Sequence, residues 1–177
     1  MKKILLCATM TSLLFTAAAQ NAPDLLINNA YRIVTAAQPI PAEEFAATEL
    51  KAYLDKVTGK AFTIVSEANH DGAPAIHLGQ TALAAANYAS DYGKEEYHLK
   101  AVGKNVIITG GRPRGVLFGT YEFLERFAGV RFLSLDFEHI PSRDAVAVPA
   151  NLDIRYAPPF IYRDIYPGHA YIPGQYR

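Results

Sequence analysis

Carboxylates stand close together at three places in the chain: Glu43 with Glu44, Glu95 with Glu96, and Asp136 with Glu138. Paired carboxyls can cleave glycosides when they face each other across a cleft at about 5–9.5 Å. Neighbours on one helix or one strand edge do not face each other in that way. The first pair follows Pro41 at the opening of a helix, where the helix dipole favours negative charge. The other two pairs read as solvated edges. The histidines His70, His77, His98, His139 and His169 lack the two-histidine spacing of a helical zinc site, so no metal site is expected. His77 and His98 fall in strand-like segments, where a hydrogen-bonded or exposed imidazole is expected. No Ser nucleophile elbow is present. These residues assemble no catalytic set and imply no cofactor.

The loop Thr109–Gly115 (TGGRPRG) joins a strand to a helix. A glycine-rich loop there could cradle an anion on the helix N-terminus. Its spacing matches neither the dinucleotide fingerprint nor the P-loop. Arg112 and Arg114 are the cations available to a carboxylate. The structural reading is stronger: Gly110 and Gly111 permit a sharp turn, and Gly115 lets the helix approach the sheet closely.

The elements that must hold these residues follow from periodicity. Leu25 to Val34 reads as a first strand. Ala46, Leu50, Tyr53, Leu54 and Val57 mark one buried face of a helix over 41–57, ended by Thr58-Gly59. Short strands follow at 61–65 and 75–78, then an Ala-rich helix from Thr81 to Ala89. Tyr97, Leu99 and Ala101 alternate with polar residues, and Val106 to Ile108 is continuously apolar, so a half-buried strand and a central strand form a hairpin. Leu117, Tyr121, Leu124 and Ala128 mark the inner face of a helix over 113–128, ended by Gly129. Val130 to Leu133 starts another strand. Pro149 confines the last alternating segment, 145–156, to an edge or a break. The fold class is α+β: a single mixed β-sheet with two main helices packed mainly on one face.

The N-terminus reads as a signal peptide over 1–19. Lys2 and Lys3 precede an apolar run from Ile4 to Phe15, and Ala17, Ala18 and Ala19 supply the small residues for cleavage. That run is shorter than the ~20 residues a membrane span needs. Cleavage removes the single cysteine, Cys7, so the mature protein has no disulfide and no thiol nucleophile or ligand. A thiol-free chain suits a periplasmic or extracellular location. Basic and acidic residues balance at 17 each, which argues against a nucleic-acid partner. Residues 20–157 suffice for one domain, whereas an α/β barrel needs ~250 residues. After Pro158-Pro159 the chain turns rich in Tyr and Pro, and 158–177 reads as the start of a truncated catalytic barrel domain.

The ordered series DKVTG (55–59), IHLG (76–79) and GGRPRGVLFGTYEFLERFAGVRFL (110–133) resembles the N-terminal domain of family-67 glycoside hydrolases, the alpha-glucuronidases. It is also similar to the domain that precedes the barrel in beta-hexosaminidases. The resemblance covers about residues 25–166. It implies a non-catalytic accessory domain of a secreted glycoside hydrolase acting in glycan breakdown. Its partner would be a C-terminal catalytic barrel, which supplies the chemistry and through which the parent meets carbohydrate. In hexosaminidases an arginine at the start of the first barrel strand binds hydroxyls of the sugar being cleaved. Arg163, in PPFIYRD, occupies the matching place, and the resemblance makes it the substrate-binding residue of a full-length parent. The alternative is a free-standing glycan-binding or structural surface module.

Overall fold

The computed structural model describes residues 24–88 and 91–160. The expected signal peptide, residues 161–177 and Arg163 with them lie outside the described residues. The elements run β1 (Leu25–Ile27), β2 (Arg32–Thr35), α1 (Pro41–Thr58), β3 (Thr63–Ser66), β4 (Ala75–Leu78), α2 (Ala82–Asn87), β5 (Tyr97–Val102), β6 (Asn105–Gly110) and α3 (Gly115–Phe123). A π-helical turn at Leu124–Ala128 extends α3, and β7 (Arg131–Phe132), β8 (Glu138–His139), β9 (Val146–Val148) and β10 (Asp153–Tyr156) complete the order.

The main sheet has the order β10-β5-β6-β4-β2-β3. Strands β3, β2, β4 and β6 are parallel, and β5 runs antiparallel to both β6 and β10. The sheet is therefore mixed. One face presents Ile33, Ile76, Leu78, Leu99, Val106 and Ile108 to Leu50, Leu54 and Val57 of α1 and to Val116, Phe123 and Leu124 of α3. Each such side chain, fully buried, contributes roughly 1.5–3 kcal/mol. Alternation sends Val34, His77 and Ile107 to the other face, where they are also buried. There Tyr88, just after α2, sits edge-on to His98 at 4.5 Å between ring centroids. The two long helices thus share one face, as the apolar stripes require, and β6 is covered on both sides.

Three boundaries differ from expectation. The first strand breaks in two because Asn28 turns the chain: its side-chain oxygen accepts from Ala30 N–H at 2.9 Å and its carbonyl from Tyr31 N–H at 2.9 Å. That turn sends β1 to pair with β9 and β2 into the main sheet. The second long helix ends as a π-turn, closed by Gly129 at φ +79°. The strand expected at 130–133 shrinks to a two-residue ladder between β7 and β8. Pro149 acts as anticipated. Its carbonyl accepts from Leu152 N–H, separating β9 from β10, and β10 forms a sheet edge.

Candidate functional site

The parallel strands β4 and β6 end side by side, at Gly79 and at the glycine–arginine loop. Glu43, in the first turn of α1, lies here and is only 1% exposed. Burying a carboxylate is costly unless it is paired and hydrogen-bonded. Here both conditions hold. One oxygen accepts from Ile40 N–H at 3.1 Å, completing the N-terminal cap of α1. Arg112 clasps the carboxylate in a fork, Nε to Oε1 and NH2 to Oε2, both at 3.1 Å. Gly79 makes room for it. Its φ is +79°, and a Cβ there would sit 2.8 Å from the Glu43 carboxyl carbon.

The loop glycines serve close packing. A Cβ on Gly111 would come within 1.8 Å of the Gly93 carbonyl oxygen, and Cβ atoms on Gly110 and Gly115 within 2.4 and 2.1 Å of that of Glu96. Three of the loop's N–H groups are bonded within the domain: Gly111 donates to Glu96 O at 2.9 Å, Arg114 to Lys94 O at 3.4 Å and Gly115 to Gly111 O at 2.8 Å. The anion that this loop region binds is Glu43, through Arg112. Arg114 stays largely in solvent, and its NH2 donates to Glu95 at 2.5 Å.

Above this loop lies a cleft of about 440 Å³, lined by Gln80, Ala84, Tyr88, Tyr92, Thr109 and Arg112. Tyr92 Oη meets His98 Nδ1 at 3.2 Å, and His98 Nε2 meets Asp153 Oδ1 at 2.5 Å. Lys100 holds the second Asp153 oxygen at 3.1 Å. Arg155 donates to Glu96, and its guanidinium lies 4.9 Å over the Tyr92 ring. Glu95 and Glu96 are thus ion-paired, not solvated edges.

This arrangement decides what the carboxyls can do. The Arg155 hydrogen bond, then the Gly93 N–H, holds Glu96 below the usual carboxylate range. His98, with Lys100, does the same for Asp153, and Tyr53 and Lys56 do it for Glu138. A general acid needs the opposite, a carboxyl kept protonated near the working pH. Among the described residues no group of three or more His, Cys, Asp and Glu is placed to hold a metal ion. His77 departs from the expected hydrogen-bonded or exposed histidine. It is buried with Nδ1 unpartnered among the described residues, and burial pushes its pKa down to about 4.

Residues 17–123 match the family model described as glycosyl hydrolase family 67 N-terminus. The chain belongs to this family. A curated relative, alpha-glucuronidase A of Emericella nidulans, is 33% identical over 115 residues, which are 61% of this chain and 13% of the relative. The chain thus spans a small part of the relative's length. Among solved structures, the GH20 beta-N-acetylhexosaminidase of Streptomyces coelicolor A3(2) is similar over 80% of this chain and 25% of its own, at a TM-score of 0.56 and 17% identity. A GH115 4-O-methyl-alpha-glucuronidase is similar over 76% of this chain and 18% of its own, at 0.54 and 14%. These likenesses show the fold: a mixed α+β domain of the hexosaminidase-like type.

Sequence reasoning did not find the partners of this family-67 N-terminal domain's buried carboxylate. Glu43 and Arg112 are 69 positions apart, and neither has a local signal for the other. It also missed a group of exposed apolar side chains at Phe45 and Phe132–Phe137, because Phe132 and Leu133 fall in the segment that reads as a strand. Among the described residues no helix is long and apolar enough to cross a membrane.

Proposed function

We propose that this chain is the non-catalytic N-terminal accessory domain of a secreted alpha-glucuronidase-like glycoside hydrolase, acting in polysaccharide or glycan breakdown. The observation that carries the reading is the family match over 17–123. The site chemistry agrees with it, since the carboxyls around the cleft are tied to cations and held ionised. The signal-peptide pattern of residues 1–19 supports export to the periplasm or beyond. Cleavage of the glycosidic bond belongs to a separate catalytic domain in the parent protein. There Arg163 is the residue we assign to the sugar, because a guanidinium fork can hold two adjacent hydroxyls.

The test has three arms. Purified residues 20–177 are assayed against aryl glycosides and glucuronoxylan fragments, with no turnover expected; turnover that survives repurification refutes a non-catalytic role. Sequencing the exported protein's N-terminus should find Gln20, and an uncleaved cytoplasmic chain refutes secretion. Arg163→Ala in the full-length protein should lower kcat/KM with little change in Tm, and unchanged kinetics removes Arg163 from the site.

A second reading, a glycan-binding module, is favoured by one feature. The 440 Å³ cleft carries two tyrosines and the Arg112 guanidinium. Affinity electrophoresis of residues 20–177 in glucuronoxylan gels distinguishes it: retardation lost in Tyr88→Ala supports this reading, and free migration refutes it.

A further inference from the structure

The 440 Å³ cleft has a topological origin. Strands β4 and β6 are parallel neighbours, yet the chain leaves them toward opposite faces of the sheet. After β6 it enters α3, which packs on the face that carries Ile76 and Ile108. After β4 it enters α2, and Tyr88 beyond α2 lies on the other face against His98. Adjacent parallel strands that part in this way leave a crevice at their carboxyl ends, and such crevices take ligands. Gln80 follows β4, Thr109 and Arg112 lie at the end of β6, and Tyr88 and Tyr92 supply an aromatic wall. The volume falls within the roughly 300–1,000 Å³ of small-molecule sites. The polar groups there are set for a ligand. Tyr88 Oη is buried and has no hydrogen-bond partner among the described residues. A buried hydroxyl in that state is unfavourable until something bonds it. Tyr92 is complementary. Asp153 holds His98 Nε2 at 2.5 Å, so in the neutral imidazole Nδ1 accepts from Tyr92 Oη across 3.2 Å. The Tyr92 oxygen then remains an acceptor. Arg112 uses Nε and NH2 on Glu43 and the Gln38 carbonyl, and its NH1 hydrogens have no partner among the described residues. Donors and an acceptor beside aromatic and alanine surface match a hydroxylated ring with an apolar face.

We propose that this crevice binds a neutral sugar of about one or two rings, with its hydroxyls on Tyr88, Tyr92 and Arg112 and its apolar face on the tyrosines. The proposal deepens the glycan-binding reading of the cleft and rests on it. Charge selects a neutral ligand. The cations around the cleft are already matched inside the domain: Arg112 by Glu43, Arg155 by Glu96 and Lys100 by Asp153. An acidic sugar would bring its carboxylate beside these closed pairs, losing water without gaining an uncompensated cation. A neutral ring needs only hydroxyl bonds. The wall is also fixed before any ligand arrives. Arg155 lies 4.9 Å over the Tyr92 ring, and Tyr88 sits edge-on to His98 at 4.5 Å. Polar groups held in place in this way lower the ordering cost of binding.

Titration calorimetry and amide NMR on the 177-residue chain test this, with glucose, xylobiose and glucuronic acid as probes. A neutral probe should bind with a dissociation constant of about 0.1–5 mM, and glucuronic acid about tenfold more weakly or worse. The shifted amides should lie at 80–88, 92 and 109–112. Raising the salt from about 50 to about 500 mM should leave the neutral-sugar constant unchanged. Tyr88→Phe keeps the ring and removes the unpartnered hydroxyl. It should weaken the neutral sugar by about threefold to tenfold, with Tm unchanged or higher. A lower Tm with unchanged affinity makes the Tyr88 hydroxyl structural and overturns the site. Tighter binding of glucuronic acid, weakened by salt, overturns the neutral ligand and leaves the glycan-binding reading standing. Shifts confined to amides outside the crevice overturn the crevice and leave that reading standing as well. No binding of any probe overturns the proposal: retardation in the glucuronoxylan gels then leaves the reading standing, and free migration overturns both.

Discussion

Truncating Arg112 should be more damaging than neutralising the carboxylate it holds. Glu43 is buried and accepts two 3.1 Å bonds from Arg112 and one from Ile40 N–H. Arg112→Ala leaves that carboxylate in place with no cation. Breaking a fully buried pair costs about 3–5 kcal/mol. Arg112 is 38% exposed on its side chain, so water reaches the pair and screens part of the loss. The expected cost is therefore about 2–3 kcal/mol, just below the range for a fully buried pair. Glu43→Gln keeps an oxygen for the Ile40 cap, and the freed guanidinium can turn to solvent. Its cost should be near one charge-assisted hydrogen bond, about 1–2 kcal/mol. For a domain of this size the Arg112→Ala loss corresponds to roughly 6–12 °C in Tm. Urea unfolding at pH 7 of the wild type, both single variants and the double variant measures the terms and their coupling. In the double variant, Glu43→Gln should recover part of the Arg112→Ala deficit, because the stranded charge is gone. An Arg112→Ala loss below about 0.5 kcal/mol, the range of an ordinary surface substitution, would refute the argument. So would additivity of the two single effects.

Two further outcomes follow from the same geometry. Gly111→Ala places a methyl 1.8 Å from the Gly93 carbonyl oxygen, backbone against backbone; it should abolish the soluble folded domain, and a native circular-dichroism spectrum with unchanged Tm would contradict the close approach. His77, its pKa depressed to about 4 chiefly by burial, stays neutral in the folded chain while the unfolded chain protonates near 6.5. Stability should therefore be full above about pH 6.5 and fall by up to roughly 3 kcal/mol as the pH drops toward 4. His77→Leu should flatten that slope in urea midpoints taken at pH 7 and 4.5, and an unchanged slope would clear His77 of the role.

Local signals carried the parts of the fold that are set locally. The stripe Ala46, Leu50, Leu54, Val57 defines α1 because burial of one helical face demands that spacing, and Gly59 ends it in a left-handed cap at φ +66°. The β5–β6 hairpin is legible because its two strands differ in pattern, one alternating and one apolar throughout. The break at Asn28 did have a local signal, since Asn28-Asn29 are turn formers set between two apolar runs and Asn28 closes an Asx turn; the apolar runs on either side outweighed it in the strand reading. The site was legible only in outline. The glycine–arginine loop was recognisable as a turn, yet the partner of Arg112 lies across the domain at the start of another helix. The apolar turn at 132–138 resembles a strand in sequence. Only its placement over Tyr53 and Tyr121 shows that Leu133, Leu135 and Phe137 remain outside the core.

The Glu43–Arg112 pair and the apolar surface belong to one arrangement. Arg112 precedes α3 and Glu43 opens α1, so their ion pair joins the starts of the two helices. Nearly two turns further along α1, Tyr121 of α3 donates to Glu49. Further still, Tyr53 and Lys56 of α1 both bind Glu138, which anchors the apolar turn at its C-terminal end, while Phe132 wedges its ring against both helices at the other. Successive cross-links fix the register of α1 against α3 along most of their length. None of them is needed to bury the core, which the inner faces already achieve through Leu50, Leu54, Val116 and Phe123. Their effect is on the outer side, where they hold Phe45, Leu133, Leu135 and Phe137 in a fixed constellation.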